Sequence, residues 1–249
     1  MPMEPKYRNE LYQNYVSVQT PDWLEGGSRE FAVWAGGVLK HLRGWLPADK
    51  SAKCLDLGCG SGRFLQTLRA AGYCNIHGVD LGPQAIEIAR SKGLDVTHAD
   101  FREYLHNSPG RFDLITAFDV IEHFAKDELL DVLRLFRDHL KPGGRPILQT
   151  PNALSPWGLS YRYHDLTHEW IFDPHCLIAA LALAGFAQQQ VREVPPYVHG
   201  FKSGVRWLLW KLIWGGCAVW NLAETGSTQG GIYTRNLLCI SFRQDDDPR

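Results

Sequence analysis

The stretch from Leu55 to Gly62, LDLGCGSG, places an apolar strand directly before a loop with glycine at every second position. A second apolar run, ending in Gly78-Val79-Asp80-Leu81, follows at a spacing of about 20 residues. Alternating glycines let the backbone turn sharply and approach a ligand closely, and an acidic residue at this spacing can accept hydrogen bonds from ribose hydroxyls. The two segments together predict a nucleoside-cofactor pocket at the carboxyl end of a strand.

Two details distinguish the cofactors that such a pocket could bind. Gly58, Gly60 and Gly62 are spaced GxGxG, whereas the dinucleotide pattern is GxGxxG. The Asp56 carboxylate would repel a pyrophosphate but can pair with an ammonium group, directly or through water. Together with Asp80, these residues resemble the first two motifs of class I S-adenosylmethionine-dependent methyltransferases.

The resemblance implies that S-adenosylmethionine is the cofactor. It assigns the methionine moiety to the glycine loop, the ribose to Asp80, and the adenine to the Asp100 carboxylate and to Phe101, through its backbone amide or its ring. The cofactor-binding residues expected from it are Asp56, Gly58, Cys59, Gly60, Gly62, Asp80, Leu81, Asp100, Phe101 and Asp119.

The composition agrees with a cytoplasmic enzyme built on one α/β domain. The chain has 249 residues, and its 26 basic and 27 acidic side chains nearly balance, which disfavours a nucleic-acid partner. The six cysteines include no CxxC pair, so they indicate neither a zinc knuckle nor a disulfide framework. The polar N-terminus does not indicate secretion. We therefore expect a cytoplasmic location.

Short β-branched runs alternate with helical periodicity, which is the pattern of a parallel sheet with helices on both faces. We expect an α/β fold with a Rossmann-like, doubly wound, mostly parallel seven-stranded sheet, in keeping with the resemblance. Residues 51–249 would form the methyltransferase domain, with residues 195–234 as a tryptophan-rich helical insertion between its last two strands. Residues 1–50 would form an N-terminal helical cover.

Aromatic side chains of this N-terminal cover are candidate contacts for the methyl acceptor. In methyltransferases of the class that the chain resembles, such helices often close over the cofactor and touch the acceptor. Tyr7, Tyr12, Tyr15 and Trp34 would make these contacts, with simple core packing as the alternative.

The segment from Val205 to Trp220 has four tryptophans among leucines, with Lys211 in the middle. It is shorter than the roughly 20 apolar residues that a membrane-spanning helix needs. Three interpretations stay open: a helix packed on the domain, a subunit interface, or an interfacial helix with Lys202, Arg206 and Lys211 near anionic lipid. The third would place the chain at the inner face of the membrane, within reach of lipid-linked acceptors.

The sequence Asp119-Val120-Ile121-Glu122-His123 follows the predicted fourth strand, where ligands collect in open α/β sheets. Asp119 would face the transferred methyl or the methionine group. Asp119, Glu122 and His123 also have side chains suited to a divalent ion, and a helix-capping network is the alternative. We predict no metal here.

The stretch from Tyr161 to Trp170 is both polar and aromatic, and we expect it to form a loop over the pocket. A hydroxyl acceptor needs a general base of near-neutral pKa, for which histidine is suited. We predict His168 as this base, with His123 and His164 as the next candidates and Asp165 as an orienting or directly acting carboxylate. In the alternative interpretation, the loop histidines form hydrogen bonds only to backbone groups and have no catalytic role. Arg162 and Tyr163 are the candidate acceptor contacts.

These residues predict a methyltransferase that acts on oxygen in a small molecule, sugar or lipid-linked intermediate. The order Thr150-Pro151-Asn152 at the end of a strand differs from the Asn/Asp-Pro-Pro-Tyr motif of enzymes that methylate amino groups. Two alternatives stay open: a catalytically silent methyltransferase fold that serves as a partner subunit, and a nicotinamide-dependent oxidoreductase.

Overall fold

The computed structural model describes residues 27–108, 110–228 and 231–243. Its sheet contains strands β1 Cys54–Leu57, β2 Ile76–Asp80, β3 Val96–His98, β4 Phe112–Phe118, β5 Leu140–Pro151, β6 Phe186–Glu193 and β7 Asn236–Arg243. The helices are α1 Ser28–His41, α2 Arg63–Ala70, α3 Pro83–Ser91, α4 Phe101–Asn107, α5 Lys126–Asp138, α6 Gly158–His164, α7 Pro174–Leu183 and α8 Phe201–Thr225, with a 3-10 turn at Ile121–His123.

The seven strands lie in the order β3-β2-β1-β4-β5-β7-β6. Neighbours from β3 through β5 pair in parallel, whereas β7 is antiparallel to both β5 and β6. This order confirms the predicted doubly wound, mostly parallel sheet.

Alternating side chains of the central strands explain why helices cover both faces of the sheet. Leu55 and Leu57 of β1 belong to a core cluster that includes Phe136 of α5. Cys54, whose side chain points to the other face of the sheet, belongs to a second cluster with Leu114. All four residues of β1 are buried. A strand buried on both faces is typical of a parallel sheet between two helical layers.

The strand order reverses between β1 and β4, and this switch point positions the site. Leu57 is the register partner of Ala117, so Gly58, the first residue after β1, lies beside Phe118, the last residue of β4. Ligands in open α/β sheets bind outside the carboxyl ends of strands at such a point. The glycine loop and the segment after β4 therefore form the two sides of one crevice.

The same edge of the sheet also receives the start of β7. Because β7 is antiparallel to β5, its first residue Asn236 pairs with Pro151, the last residue of β5. The chain between β6 and β7, which includes α8, therefore leaves from and returns to the carboxyl edge of the sheet.

One local prediction was wrong, because Tyr161 to His164 are helical rather than part of a loop. Ser155 Oγ accepts a hydrogen bond from Trp157 N at 3.3 Å, which forms a turn immediately before α6. The chain becomes extended at Asp165, which ends the helix. Only the second half of the predicted loop lies outside regular structure.

The N-terminal helix α1 packs through Trp34 on the second core cluster, and the Arg63 guanidinium lies 4.3 Å from the centre of the Trp34 ring. Tyr7, Tyr12 and Tyr15 lie outside the described residues, so their assignment as acceptor contacts stays a prediction.

Within the described ranges, none of the helices combines the length and the apolar character needed to cross a bilayer. The predicted 16-residue tryptophan-rich segment is part of the longer helix α8, which has 25 residues. Most of its large apolar side chains are exposed, including Leu208, Leu212 and Val219. The side of α8 that includes Leu208, Leu212 and Val219, called its outward side below, is therefore not packed on the domain.

Candidate active site

The glycine loop after β1 has the backbone geometry that a closely bound ligand requires. Gly58, Gly60 and Gly62 have φ values of 69°, 51° and 76°, a region that side chains disfavour. A Cβ on Gly58 would lie 2.4 Å from Val120 Cγ2, whereas a Cβ on Gly60 would meet no atom within 4 Å. Gly58 thus allows close packing against the opposite side of the crevice, and Gly60 borders open space.

The Asp80 carboxylate connects the end of β2 to this loop. Its Oδ2 accepts from Gly60 N at 2.8 Å, and its Oδ1 accepts from Gly82 N at 2.7 Å. Burial raises the pKa of Asp80, while the two amides act in the opposite direction. Each carboxylate oxygen can accept a second hydrogen bond, so ribose hydroxyls can be held without breaking the first.

Asp56 is a buried carboxylate without a cationic neighbour among the groups that set its pKa. Thr116 Oγ1 donates to Asp56 Oδ1 at 2.6 Å, which fixes the side chain between β1 and β4. Burial raises the pKa of Asp56 to about 7, and the charge of Asp80 acts in the same direction. A bound cation would compensate for this lost solvation.

Three further predicted cofactor residues lie around this loop or after β3. Cys59 is buried within the loop, and Leu81 is exposed directly after Asp80. Asp100 caps α4, because its Oδ1 accepts from Arg102 N at 2.7 Å. The same carboxylate pairs with the Arg102 guanidinium at 2.6 Å, so a role with adenine would require it to accept one more hydrogen bond.

Phe101 has its ring directed into the core. Its centroid lies 5.7 Å from the ring of Phe124 and 5.7 Å from that of Phe136. Of the two predicted ways in which Phe101 could contact adenine, this packing favours the backbone amide over the ring.

Asp119 ends β4 in an unusual backbone conformation, with a φ of 55°. Gln149 Nε2 donates to its Oδ2 at 2.9 Å, and Asn236 Nδ2 donates to its Oδ1 at 3.4 Å. Burial raises the pKa of Asp119 to about 6, and the Gln149 hydrogen bond opposes that shift. Positive φ at a non-glycine residue costs about 1 kcal/mol or more and is frequent at functional sites.

The 3-10 turn after Asp119 places Glu122 and His123 inside the protein. Glu122 Oε2 accepts from Thr150 Oγ1 at 3.1 Å, whereas Oε1 is buried without a hydrogen-bond partner among the described residues. Burial first, and then the charge of Asp119, raise the pKa of Glu122 well above its usual value. Burial lowers the pKa of His123 to about 4. The His123 ring is therefore uncharged near neutral pH, and burial favours the protonated form of Glu122.

A chain of hydrogen bonds orients the His123 ring. The Thr167 hydroxyl donates its one hydrogen to Asp165 Oδ1 at 2.6 Å. Thr167 Oγ1 therefore accepts a hydrogen bond from His123 Nδ1, at 2.8 Å. Thr167 N also donates to Asp165 Oδ1, at 2.8 Å. The segment after α6 is held against the 3-10 turn by Glu169 N, which donates to the Glu122 carbonyl at 3.0 Å.

His168 lies beside His123, with ring centroids 4.9 Å apart. Its Nδ1 faces the Tyr161 carbonyl oxygen at 2.9 Å. Because a carbonyl oxygen only accepts, Nδ1 has the hydrogen and Nε2 of the neutral ring has the lone pair. This is the tautomer that a general base needs.

The structure does not bring every predicted residue of this region together. His164 is exposed at the end of α6, with its ring centroid 6.5 Å from that of Tyr161. Tyr163 is also exposed, and the Arg162 guanidinium lies 5.8 Å from the centre of its ring. The cluster consists of Asp119, Glu122, His123, Asp165 and His168.

Glu122, His123 and His168 could also offer one metal-ligand atom each, with those atoms within 4.8 Å of one another. The set of one carboxylate and two imidazoles suits a transition metal more than magnesium. The prediction that the site uses no metal stays a prediction.

Sequence inspection missed the residues that hold this cluster in place. Gln149 and Thr150 lie beside the end of β4 because Phe118 is the register partner of Gln149. Asn236 reaches Asp119 from β7. Knowledge of the strand order would have identified all three, since each stands at the carboxyl edge of the sheet.

Comparisons with known proteins agree with this geometry. A family model described as a methyltransferase domain matches residues 29–191. The chain is 29% identical over 211 residues to a mitochondrial ubiquinone biosynthesis O-methyltransferase of Schizosaccharomyces pombe, a match that covers 77% of this chain and 68% of that protein. It is 31% identical over 107 residues to the ubiquinone biosynthesis O-methyltransferase of Xanthomonas campestris, covering 41% of this chain and less than half, 44%, of that enzyme.

Solved structures share the fold. A SAM-dependent methyltransferase from Archaeoglobus fulgidus superposes with a TM-score of 0.62 at 23% identity, covering 84% of this chain and 94% of that one. A Haemonchus contortus phosphoethanolamine N-methyltransferase 2 in complex with phosphomonomethylethanolamine and S-adenosylhomocysteine superposes with a TM-score of 0.60 at 16% identity, covering 94% of this chain and 60% of that one.

Proposed function

Because the chain belongs to the methyltransferase domain family and is a class I S-adenosylmethionine-dependent methyltransferase, we propose that it methylates an oxygen atom, with His168 as general base. The acceptor is a small molecule, a sugar or a lipid-linked intermediate. The family match argues against the nicotinamide-dependent oxidoreductase considered above. The intact cofactor loop argues against a catalytically silent subunit.

The residues of the crevice fit the cofactor. S-adenosylmethionine supplies a methyl group on a positively charged sulfur. The buried Asp56 carboxylate, with its pKa raised to about 7, suits the cationic methionine moiety. Asp80 has acceptor capacity for the ribose, and Gly60 leaves open space beside the loop. These residues bind and orient the cofactor, and positioning supplies much of the rate of such a displacement.

The tautomer of His168 is the observation that best supports the catalytic part of the proposal. The Tyr161 carbonyl keeps the hydrogen on Nδ1, so Nε2 can take the proton of an acceptor hydroxyl. Loss of this proton would leave the acceptor oxygen as the nucleophile for the methyl group that the bound cofactor would supply, with the sulfur as the leaving group. His123, uncharged at neutral pH, does not add a competing charge beside the base.

The two relatives found by sequence similarity support oxygen as the methylated atom, because both are O-methyltransferases by name. We propose the same reaction type for this chain.

The outward side of α8 supports contact with a membrane surface. Val205, Leu208, Leu212 and Val219 recur at helical spacing, and each is exposed by 42% to 68%. Lys202 and Lys211 flank this apolar stripe. An apolar face between cations is typical of a helix that lies in the interface of an anionic bilayer. Such contact would bring lipid-linked acceptors to the enzyme in the cytoplasm.

Transfer of a labelled methyl group tests the proposal. Wild-type protein, His168→Ala and the matched variant His164→Ala are incubated with methyl-labelled S-adenosylmethionine and separated cell fractions of small molecules, lipids, glycans, RNA and protein. We expect label in one of the first three fractions, with about 100-fold slower transfer by His168→Ala and little change by His164→Ala. Equal loss in both variants, or none in either, would remove His168 from the role of base.

A further inference from the structure

A cavity of about 630 Å³ lies between α8, α6 and the start of β7. Its volume falls within the range of roughly 300 to 1,000 Å³ that is typical of small-molecule sites. Two of the lining residues connect it to the cluster described above. Asn236 donates to Asp119, and Tyr161 fixes the tautomer of His168 through its carbonyl. The cavity therefore adjoins the reacting centre rather than the glycine loop.

Aromatic rings form much of the wall. Trp210 and Trp214 face the cavity from α8, Trp157 from the turn before α6, and Tyr233 from the segment before β7. Trp214 Nε1 donates to the Gly231 carbonyl, and its ring centroid lies 6.2 Å from that of Tyr233, so this part of the wall is held in place. Such a wall provides apolar area at low cost in side-chain entropy.

Two cations stand among these rings. Arg206 and Arg235 both line the cavity, both are exposed, and neither has an ion-pair partner within the described part of the chain. The Arg235 guanidinium lies 5.5 Å from the centre of the Tyr161 ring and 5.8 Å from that of Trp157. Among the described residues that line the cavity, none is aspartate or glutamate. The charge of this cavity is therefore entirely positive.

The helical spacing separates this cavity from the outward side of α8. The residues of α8 that line the cavity recur on one side of the helix: Arg206, Trp210, Ile213, Trp214 and Cys217. The exposed apolar stripe assigned above to the membrane lies on the opposite side of the helix. The helix α8 thus has aromatic rings and a cation on its cavity side, and aliphatic side chains on its outward side.

We infer that this cavity is the acceptor site, and that it binds an amphipathic anion with its apolar part against the tryptophans and its phosphate or carboxylate at Arg206 and Arg235. The identification of this ligand as the methyl acceptor rests on the proposed function. Guanidinium groups bind such oxyanions with two parallel hydrogen bonds. An uncharged apolar ligand would form no ion pair with either arginine. A small anion alone would not contact the aromatic wall.

Cys217 provides a local test that needs no turnover. It lines the cavity, whereas Cys74 and Cys176 are exposed elsewhere and serve as internal references. Alkylation of each cysteine by N-ethylmaleimide is followed by mass spectrometry with dodecyl phosphate below its micelle concentration, with dodecanol, with inorganic phosphate, or with vesicles containing anionic lipid. We expect dodecyl phosphate to slow alkylation of Cys217 several-fold and to leave both references unchanged.

Variants separate the anion site from general apolar binding. Arg235→Gln and Arg206→Gln should each weaken protection by dodecyl phosphate about tenfold or more. Lys202→Gln, a cation of the same helix outside the cavity, should not change it. His168→Ala should retain full protection, so failure of catalysis and failure of this inference are distinguishable.

Each outcome decides a part of the inference. Equal protection by dodecanol would overturn the anion assignment, and protection by inorganic phosphate alone would overturn the apolar part. Protection by vesicles without any by the monomeric amphiphile would show that Cys217 is covered by the membrane and would overturn the cavity as a ligand site. No protection by any probe would also overturn it.

Discussion

Replacing Asp56 with asparagine should stabilise the protein without its cofactor and weaken cofactor binding. Asparagine keeps an acceptor for the Thr116 hydroxyl but removes the charge. In the folded protein burial raises the pKa of Asp56 from 3.8 to about 7. The folded state therefore retains a proton that the unfolded state has already lost, so stability falls as pH rises between these two values.

The size of this effect follows from the pKa shift. A difference of about 3 units corresponds to about 4 kcal/mol at full charge, and relaxation of the site reduces it, so we expect a gain of about 1 to 4 kcal/mol above pH 7. Near pH 4 the variant should gain little. Asp80, Asp119 and Glu122 titrate in the same direction, so only the difference between wild type and variant isolates Asp56.

Urea unfolding of both proteins at pH 4.5 and pH 8 measures this difference, with the exposed Asp127→Asn as a matched control. Calorimetric titration with S-adenosylmethionine at pH 6 and pH 7.5 measures the binding side. If only ionised Asp56 binds the cofactor, wild-type affinity should rise about eightfold over that interval and the variant should lose this rise. A variant that is destabilised at pH 8, or that keeps the wild-type pH dependence of binding, would refute the placement of a buried, unpaired carboxylate at the cofactor.

The remaining predictions concern the cofactor, the base and the membrane. Asp80→Ala should weaken cofactor binding by about 1.5 to 3 kcal/mol in calorimetry, because its oxygens are charge-assisted acceptors; unchanged affinity would exclude ribose contact. Thr167→Val should break the hydrogen-bond chain to His123 and lower kcat about tenfold with cofactor affinity unchanged, and a loss of affinity instead would indicate a purely structural role. Leu212→Glu should reduce flotation with anionic vesicles, whereas the exposed Leu183→Glu on α7 should not; flotation equal to wild type would exclude α8 as the contact.

The geometry of the glycine loop could be predicted from the sequence because its determinants are local. The glycines, Asp56 and Asp80 belong to two short strand-turn segments whose conformation depends on their own residues. The alternation of β-branched runs with helical periodicity is also a local pattern, and it predicts the doubly wound sheet.

The cluster around His123 and His168 could be predicted only in part, because it depends on packing between distant segments. His164 and His168 are four residues apart in the sequence, yet α6 ends between them and only His168 reaches His123. That placement needs the hydrogen bond from Glu169 to the Glu122 carbonyl, which joins segments 47 positions apart. Residue type alone could not distinguish the two histidines.

The helix α8 shows a different limit. Its sequence is apolar nearly all round, a pattern that does not distinguish a buried helix from one in a lipid interface. The structure resolves its two sides, since Trp210 and Trp214 line a cavity while Leu208 and Leu212 are exposed.

Identification of the methylated atom tests the central claim most directly. Protein loaded with S-adenosylmethionine that has a ¹³C-labelled methyl group is incubated with the acceptor fraction, and the purified product is examined by carbon-proton correlation NMR. We predict one new methyl signal from a methyl group bonded to oxygen, which wild type forms and which His168→Ala forms about 100-fold more slowly. A signal from a methyl group on nitrogen or carbon, or no labelled product despite demonstrated cofactor binding, would contradict an oxygen-directed methyltransferase with a histidine base.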